Sequence, residues 1–305
     1  MLAGCGYVGP PLPPALNIPK QVTDLRAEVI GEKLVVHFTP PARTTEDLPI
    51  AELRGITLYV GPGEVEFSRD RWSATAARYQ GDVRKAEFEL PAAQFAGQQL
   101  VLGLRTTGRT GKESDWSNLK VLGVGASLTQ PASPVFTNLP DTLQLNWTGN
   151  APRYRISRVV DGKLETLAET DVAEYFDHAV VIGARHEYVI VGMAGENQLS
   201  LPSERFGFTP LDIFAPAVPS GLTALASGRS VDLSWTRSSD DDLAGYNIFR
   251  AVGDGPFEAL AQKAPLPAFT DARVESGRRY RYVVSAVDAV GNESGRSNEA
   301  GVQVE

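Results

Sequence analysis

The sequence predicts an all-β fold of three tandem β-sandwiches. Three observations carry this: segments that alternate apolar and polar residues, an internal repeat, and many turn formers, with 29 Gly and 21 Pro in 305 residues. Alternation with period two marks a strand that buries one face. The repeat is plainest near the two ends of the chain. The run Thr106 to Asn118 can be laid without a gap on Ala286 to Asn298, with Gly111 on Gly291, Glu113-Ser114 on Glu293-Ser294 and Ser117-Asn118 on Ser297-Asn298. The offset is 180 residues, twice a unit of about 90, which is the size of a small β-sandwich. A third copy is therefore expected between them.

Each unit opens with a strand that ends in a large aromatic: Leu34, Val36, Phe38 in the first, Leu143, Leu145, Trp147 in the second, Val231, Leu233, Trp235 in the third. The residues between point outward and are mostly polar: Val35 and His37, Gln144 and Asn146, Asp232 and Ser234. A threonine follows each aromatic, at Thr39, Thr148 and Thr236. The next strand reads Ile56 to Val60, Tyr154 to Arg158 and Tyr246 to Arg250. The first unit then carries an insertion, Phe67 to Gln80, in which Trp72, Ala76 and Tyr79 are spaced to share one face of a short helix. A late strand follows in all three, aligned here as Leu100, Leu102, Leu104, Thr106 with Tyr188, Ile190, Gly192, Ala194 and with Tyr280, Tyr282, Val284, Ala286.

Proline sets the boundaries. Residues 1–16 read as a Pro-rich stalk, 17–126 as the first unit, 127–211 as the second and 212–305 as the third, with Pro131, Pro134 and Pro140 opening the second and Pro210 to Pro219 marking the last junction. Linkers this short restrict bending and predict an extended rod.

The aromatic on the second strand, the Tyr-x-aromatic/aliphatic-x-Val-x-Ala strand and the Gly-Asn-x-Ser-x-x-Ser turn resemble those of fibronectin type III domains, a branch of the immunoglobulin-like sandwiches. The third unit matches best, with Asp240-Asp241-Asp242-Leu243-Ala244-Gly245-Tyr246-Asn247 similar to the bacterial, secreted variety. The resemblance implies that Tyr280 is the tyrosine corner. The first unit departs with Phe38 for Trp and Leu100 for the corner Tyr. The second lacks the Gly-Asn-x-Ser turn and, in this alignment, has Gly192 where valine is usual, which predicts a poorly packed late strand.

Leu2-Ala3-Gly4-Cys5 resembles the lipobox of bacterial lipoproteins, in which the thiol takes a diacylglycerol and the chain is cut just before it. The charged and apolar regions of a signal peptide are not found upstream of this motif in the sequence. The resemblance implies lipid attachment at Cys5, membrane partnership and a place in the cell envelope. Gly6, in place of the aspartate that retains lipoproteins in the inner membrane, makes the outer membrane the expected destination. The Pro-rich stretch after Cys5 favours an extended polyproline II stalk.

A net charge of -8 and a pI near 5.1 disfavour nucleic-acid and anionic-lipid surfaces. One cysteine and three histidines leave little for disulfide, zinc or redox chemistry, so no cofactor is expected. His37 belongs on an outer strand face, and His178 and His186, beside Asp177 and Glu187, fit no zinc spacing. No phosphate loop and no Gly-x-Ser-x-Gly elbow occur. Asp240, Asp241 and Asp242 are a weak candidate for calcium, because contiguous side chains diverge, and a solvated loop is the simpler reading. The candidate ligand contacts are Trp72 and Tyr79 with Arg69 and Arg71, together with Trp116, whose counterpart in the third unit is Arg296. Packing of Trp72 and Tyr79 against the sandwich edge uses the same residues. The sequence thus predicts a non-catalytic envelope lipoprotein whose modules act as spacer and as protein-interaction or adhesion surface. The alternative is a carbohydrate-binding accessory for envelope or extracellular polysaccharide.

Overall fold

The computed structural model describes residues 16–63 and 67–305. Strands dominate, and the alternation read from the sequence becomes three sandwiches, each of a three-stranded and a four-stranded layer. In the first, Arg26–Ile30, Lys33–His37 and Glu87–Pro91 face the layer ordered Ala77–Gly81, Leu53–Pro62, Gln99–Gly108, Lys120–Gly123. In the second, Ala132–Leu139, Thr142–Thr148 and Glu174–Asp177 face Lys163–Thr170, Arg153–Val160, His186–Met193 and Phe206–Phe208. In the third, Ser220–Ser227, Ser230–Thr236 and Ala268–Asp271 face Glu258–Ala264, Leu243–Val252, Arg279–Asp288 and Ala300–Gln303.

The inward residues of the opening strands are buried in three separate cores. Leu34, Val36 and Phe38 sit in the first, Leu143, Leu145 and Trp147 in the second, Val231, Leu233 and Trp235 in the third. Each tryptophan of the last two meets a tyrosine of the facing strand edge-on, Trp147 on Tyr154 at 5.3 Å and Trp235 on Tyr246 at 5.1 Å. Tyr280 forms the tyrosine corner: its hydroxyl oxygen accepts the Glu275 amide at 2.8 Å.

The late strand of the second sandwich is shifted by two residues from the alignment made on sequence. Tyr188 donates to Asp177 as Tyr282 donates to Asp271, so Tyr188 stands with Tyr282 and the buried His186 stands with Tyr280. Gly192 consequently occupies the place of Ala286, not that of a valine. A side chain there would lie 2.7 Å from the Ala151 Cβ, so the strand is closely packed at this point, contrary to expectation. A shift of two preserves which face each residue presents, and alternation alone cannot detect it.

A pair of serines marks the true register. Ser114 and Ser117, Ser200 and Ser203, Ser294 and Ser297 each accept an amide from the facing strand, at Thr106 and Leu104, Gly192 and Ile190, Ala286 and Val284. Each hydroxyl then donates to the carbonyl of the next residue. These bonds replace a strand ladder where the last strand has not yet begun.

The chain divides into two compact units. One holds the first two sandwiches, and the other residues 181–183 and 210–305. Within the first unit the two-residue strand Gln198–Leu199 pairs in parallel with Val29–Ile30 and antiparallel with Met193, which joins layers of both sandwiches into one eight-stranded sheet.

Candidate functional site

The insertion of the first sandwich forms a helix at Arg69–Thr75 and a strand at Ala77–Gly81. Trp72 and Tyr79 therefore do not share a helical face. Tyr79 lies on the strand, opposite Leu58, and packs against the sandwich core. Trp72 packs on the other side of that layer, with Tyr59, Ala76 and Val101. The helix ends at Thr75 because Ala76 turns extended, with φ -60° and ψ 138°, and the chain re-enters the sheet.

Trp72 is 5% exposed, so its ring is not a platform for a ligand. The hollow that receives it is cut by two glycines on adjacent strands. A Cβ at Gly61 would lie 2.8 Å from the indole nitrogen and one at Gly103 would lie 2.9 Å from Cη2. Glycine inside a strand signals such close approach, and this was the sequence cue to a buried Trp72. Among the described residues the buried indole nitrogen has no hydrogen-bond partner.

Trp116 covers the cluster. Its ring centroid is 4.7 Å from that of Tyr59, edge-on, and 5.4 Å from that of Trp72, and the Arg105 guanidinium lies 5.4 Å from its centre. Arg105 also pairs with Glu113. The part of this cluster that faces solvent is the half-buried edge of Trp116, the ring of Phe67, 42% exposed, and Arg78 above Tyr59. Arg69 and Arg71 are exposed on the helix. The surface is thus a small aromatic and cationic patch of Phe67, Arg78, Arg105 and the edge of Trp116, with Tyr59 buried beneath it.

Within the three contiguous aspartates, Asp240 and Asp242 have different partners. Asp240 accepts hydrogen bonds from the Ser238 hydroxyl and the Ala217 amide. Asp242 instead meets Asp212 and Asp288, with a carboxylate oxygen of each within 4.8 Å of the others. The buried Asp288 accepts the amides of Val290, Gly291 and Asn292 and the side chain of Asn292. Burial would raise its pKa, but these donors outweigh burial and hold it below the ordinary carboxylate value. Asp242, although exposed, is pushed the other way, by partial desolvation and then by the negative charges of Asp212 and Asp288.

His37 lies on the outer face, 3.9 Å from Glu28 and from Glu87. His178 is exposed at the turn, while the Asp177 beside it is buried and paired with Arg158. Cys5 lies outside the described residues.

Three sandwiches of three and four strands, with the tyrosine corner and the serine pairs, make this an array of fibronectin type III-like modules. No protein-family model matches the chain. Over 90 residues it is 43% identical to an amylopullulanase of Thermoanaerobacterium thermosulfurigenes, which takes in 29% of this chain and 5% of that protein. Over 167 residues it is 26% identical to exoglucanase B of Cellulomonas fimi, covering 52% of this chain and 15% of the enzyme. Among solved structures, a Fn3-like protein from Clostridium thermocellum shares 35% identity over 30% of this chain and 96% of its own, with a TM-score of 0.27. The chain thus spans only a small part of the length of the curated relatives it matches.

Proposed function

We propose that the chain is a non-catalytic accessory array for polysaccharide handling, in which fibronectin type III-like modules set distance and present contact surface. The observation that carries this is the kind of protein it resembles: a short stretch within an amylopullulanase and another within an exoglucanase. The small share of those enzymes that is matched, 5% and 15%, fits an accessory segment and not a whole hydrolase. The exposed edge formed by Phe67, Trp116, Arg78 and Arg105 supplies aromatic and cationic groups of the kind that contact sugars. Electrophoresis of the full chain through gels containing soluble starch, pullulan or β-glucan, with sedimentation on insoluble cellulose, tests the reading. Retardation or pelleting, reduced in Phe67→Ala, is the expected result. Free migration in every gel and no pelleting would overturn it, and capture by an envelope protein in that case would move the function to protein adhesion.

A second reading, favoured by Leu2-Ala3-Gly4-Cys5, is that a lipid on Cys5 holds this array at the cell envelope, on the outer membrane. A lipidated cysteine would give membrane residence without a spanning helix, provided more than one acyl chain is attached. Labelling cells with a clickable palmitate analogue decides it: label should enter the native chain, and a Cys5→Ser protein that still takes it up would sink the idea.

A further inference from the structure

We infer that Gln198 locks the first two modules into one rigid body with no hinge between them. The joint between the two modules is short. Val124 is buried in the core of the first module and Leu128 in the core of the second, so only Gly125, Ala126 and Ser127 lie between the two cores. Each of the three is held.

The Gln198 side chain is 5% exposed and spans the joint as a strand backbone would. Its Oε1 accepts the Gly125 amide at 2.9 Å, and its Nε2 donates to the Ala126 carbonyl. The Ser127 hydroxyl reaches the Gly31 carbonyl at 3.4 Å, and its own carbonyl accepts from Asn150 at 3.2 Å. Glycine at 125 leaves room for this side chain, since a Cβ there would stand 2.6 Å from the Gln198 Oε1. An amide group that offers one acceptor and one donor to consecutive backbone groups fixes them in one orientation.

The backbone on either side of Gln198 binds the first module directly. The Val29 amide donates to the Asn197 carbonyl at 2.7 Å and the Gly31 amide to the Leu199 carbonyl at 2.8 Å. Lys120 adds a bond to the Asn197 side chain at 3.3 Å. Linkers between domains ordinarily permit relative motion, and sheet continuity together with a three-residue joint removes the torsions through which it would occur. The consequence for an array that sets distance is a first pair of modules with one fixed length and angle. This stands whether or not the array binds a polysaccharide.

The test is a distance measurement on the full chain by pulsed electron paramagnetic resonance. Spin labels are placed at Arg84→Cys and Glu165→Cys, both exposed and one in each module, in a Cys5→Ser background. A single narrow distribution is expected, and a broad one overturns the rigid joint outright. In Gln198→Ala the distribution should broaden while the far-ultraviolet circular dichroism keeps its strand signature. Gly125→Ala, which displaces the same side chain, should broaden it too. Narrow distributions in both variants would overturn the role of Gln198.

Discussion

Asp177 accepts a hydrogen bond of 2.7 Å from the Tyr188 hydroxyl inside the second module, and Asp271 accepts one of 3.0 Å from Tyr282 inside the third. An arginine completes each group, Arg158 on Asp177 and Arg250 on Asp271. The aspartate is nearly or fully buried in both, and the arginine and the tyrosine together satisfy a charge that would otherwise be costly to bury. Among the described residues the first module has no counterpart, and it fills the corresponding position of its late strand with Leu102.

Removing the carboxylate should be worse than removing its phenol. Asp177→Ala strands Arg158 and Tyr188 and is expected to cost the second module about 3–5 kcal/mol. Tyr188→Phe leaves the ion pair in place and should cost about 1–3 kcal/mol. Urea unfolding followed at the second module measures both, and equal losses would contradict the assignment.

Stability of the second module should depend on this group in acid. Burial favours the neutral carboxyl, but the Arg158 and Tyr188 hydrogen bonds and the Ala179 amide together hold Asp177 below the usual carboxylate range. A depressed pKa contributes stability that is complete above the unfolded value, near pH 4, and is lost as pH falls through the folded value. Unfolding midpoints between pH 7 and pH 3 should therefore decline in the native chain and much less in Asp177→Asn.

Trp72→Ala should act on folding. The ring fills a hollow made by Gly61 and Gly103, and its removal is expected to cost the first module about 3–5 kcal/mol and to free Trp116. Thermal unfolding with near-ultraviolet circular dichroism reads both changes. Phe67→Ala, at the exposed edge, should leave stability within about 0.5 kcal/mol and is the cleaner probe of ligand contact.

The serine pairs predict a common cost. Ser203→Ala removes the acceptor of the buried Ile190 amide, and Ser297→Ala does the same to Val284, so each is expected to lose about 1–3 kcal/mol. Denaturation of the two variants should give similar losses, in different modules.

Asp242→Asn should stabilise the third module at neutral pH. Partial desolvation beside its neighbours and the charges of Asp212 and Asp288 raise the pKa of the exposed Asp242, and an acid with a raised pKa opposes folding once it is ionised. The gain should therefore be largest at pH 7 and shrink as pH falls through the carboxylate range. A variant less stable than the native chain at pH 7 would contradict it.

The strand pattern was legible because burial of one sheet face writes period two into Leu34, Val36 and Phe38 and their counterparts. What alternation could not supply was register. Moving Tyr188 from the place of Tyr280 to that of Tyr282 keeps it pointing inward, and its bond to Asp177 distinguishes the two. The spacing of Ser200 and Ser203 was the available signal. The insertion misled in another way: Trp72, Ala76 and Tyr79 do have helical spacing, but the helix stops at Thr75 and Tyr79 belongs to a strand. Sheet pairing with Leu58 outweighed local periodicity.

The sequence alone determined that this chain is all-β, repeated, and built from fibronectin type III-like modules, because those properties reside in neighbouring residues and in the spacing of copies. The tertiary structure decided which distant residues meet: Asp242 with Asp212 and Asp288, Trp72 with Gly61 and Gly103, and Gln198 with Gly125 and Ala126. Each of these contacts joins separate loops or strands, and no local pattern records a pairing that exists only after the sheets have closed.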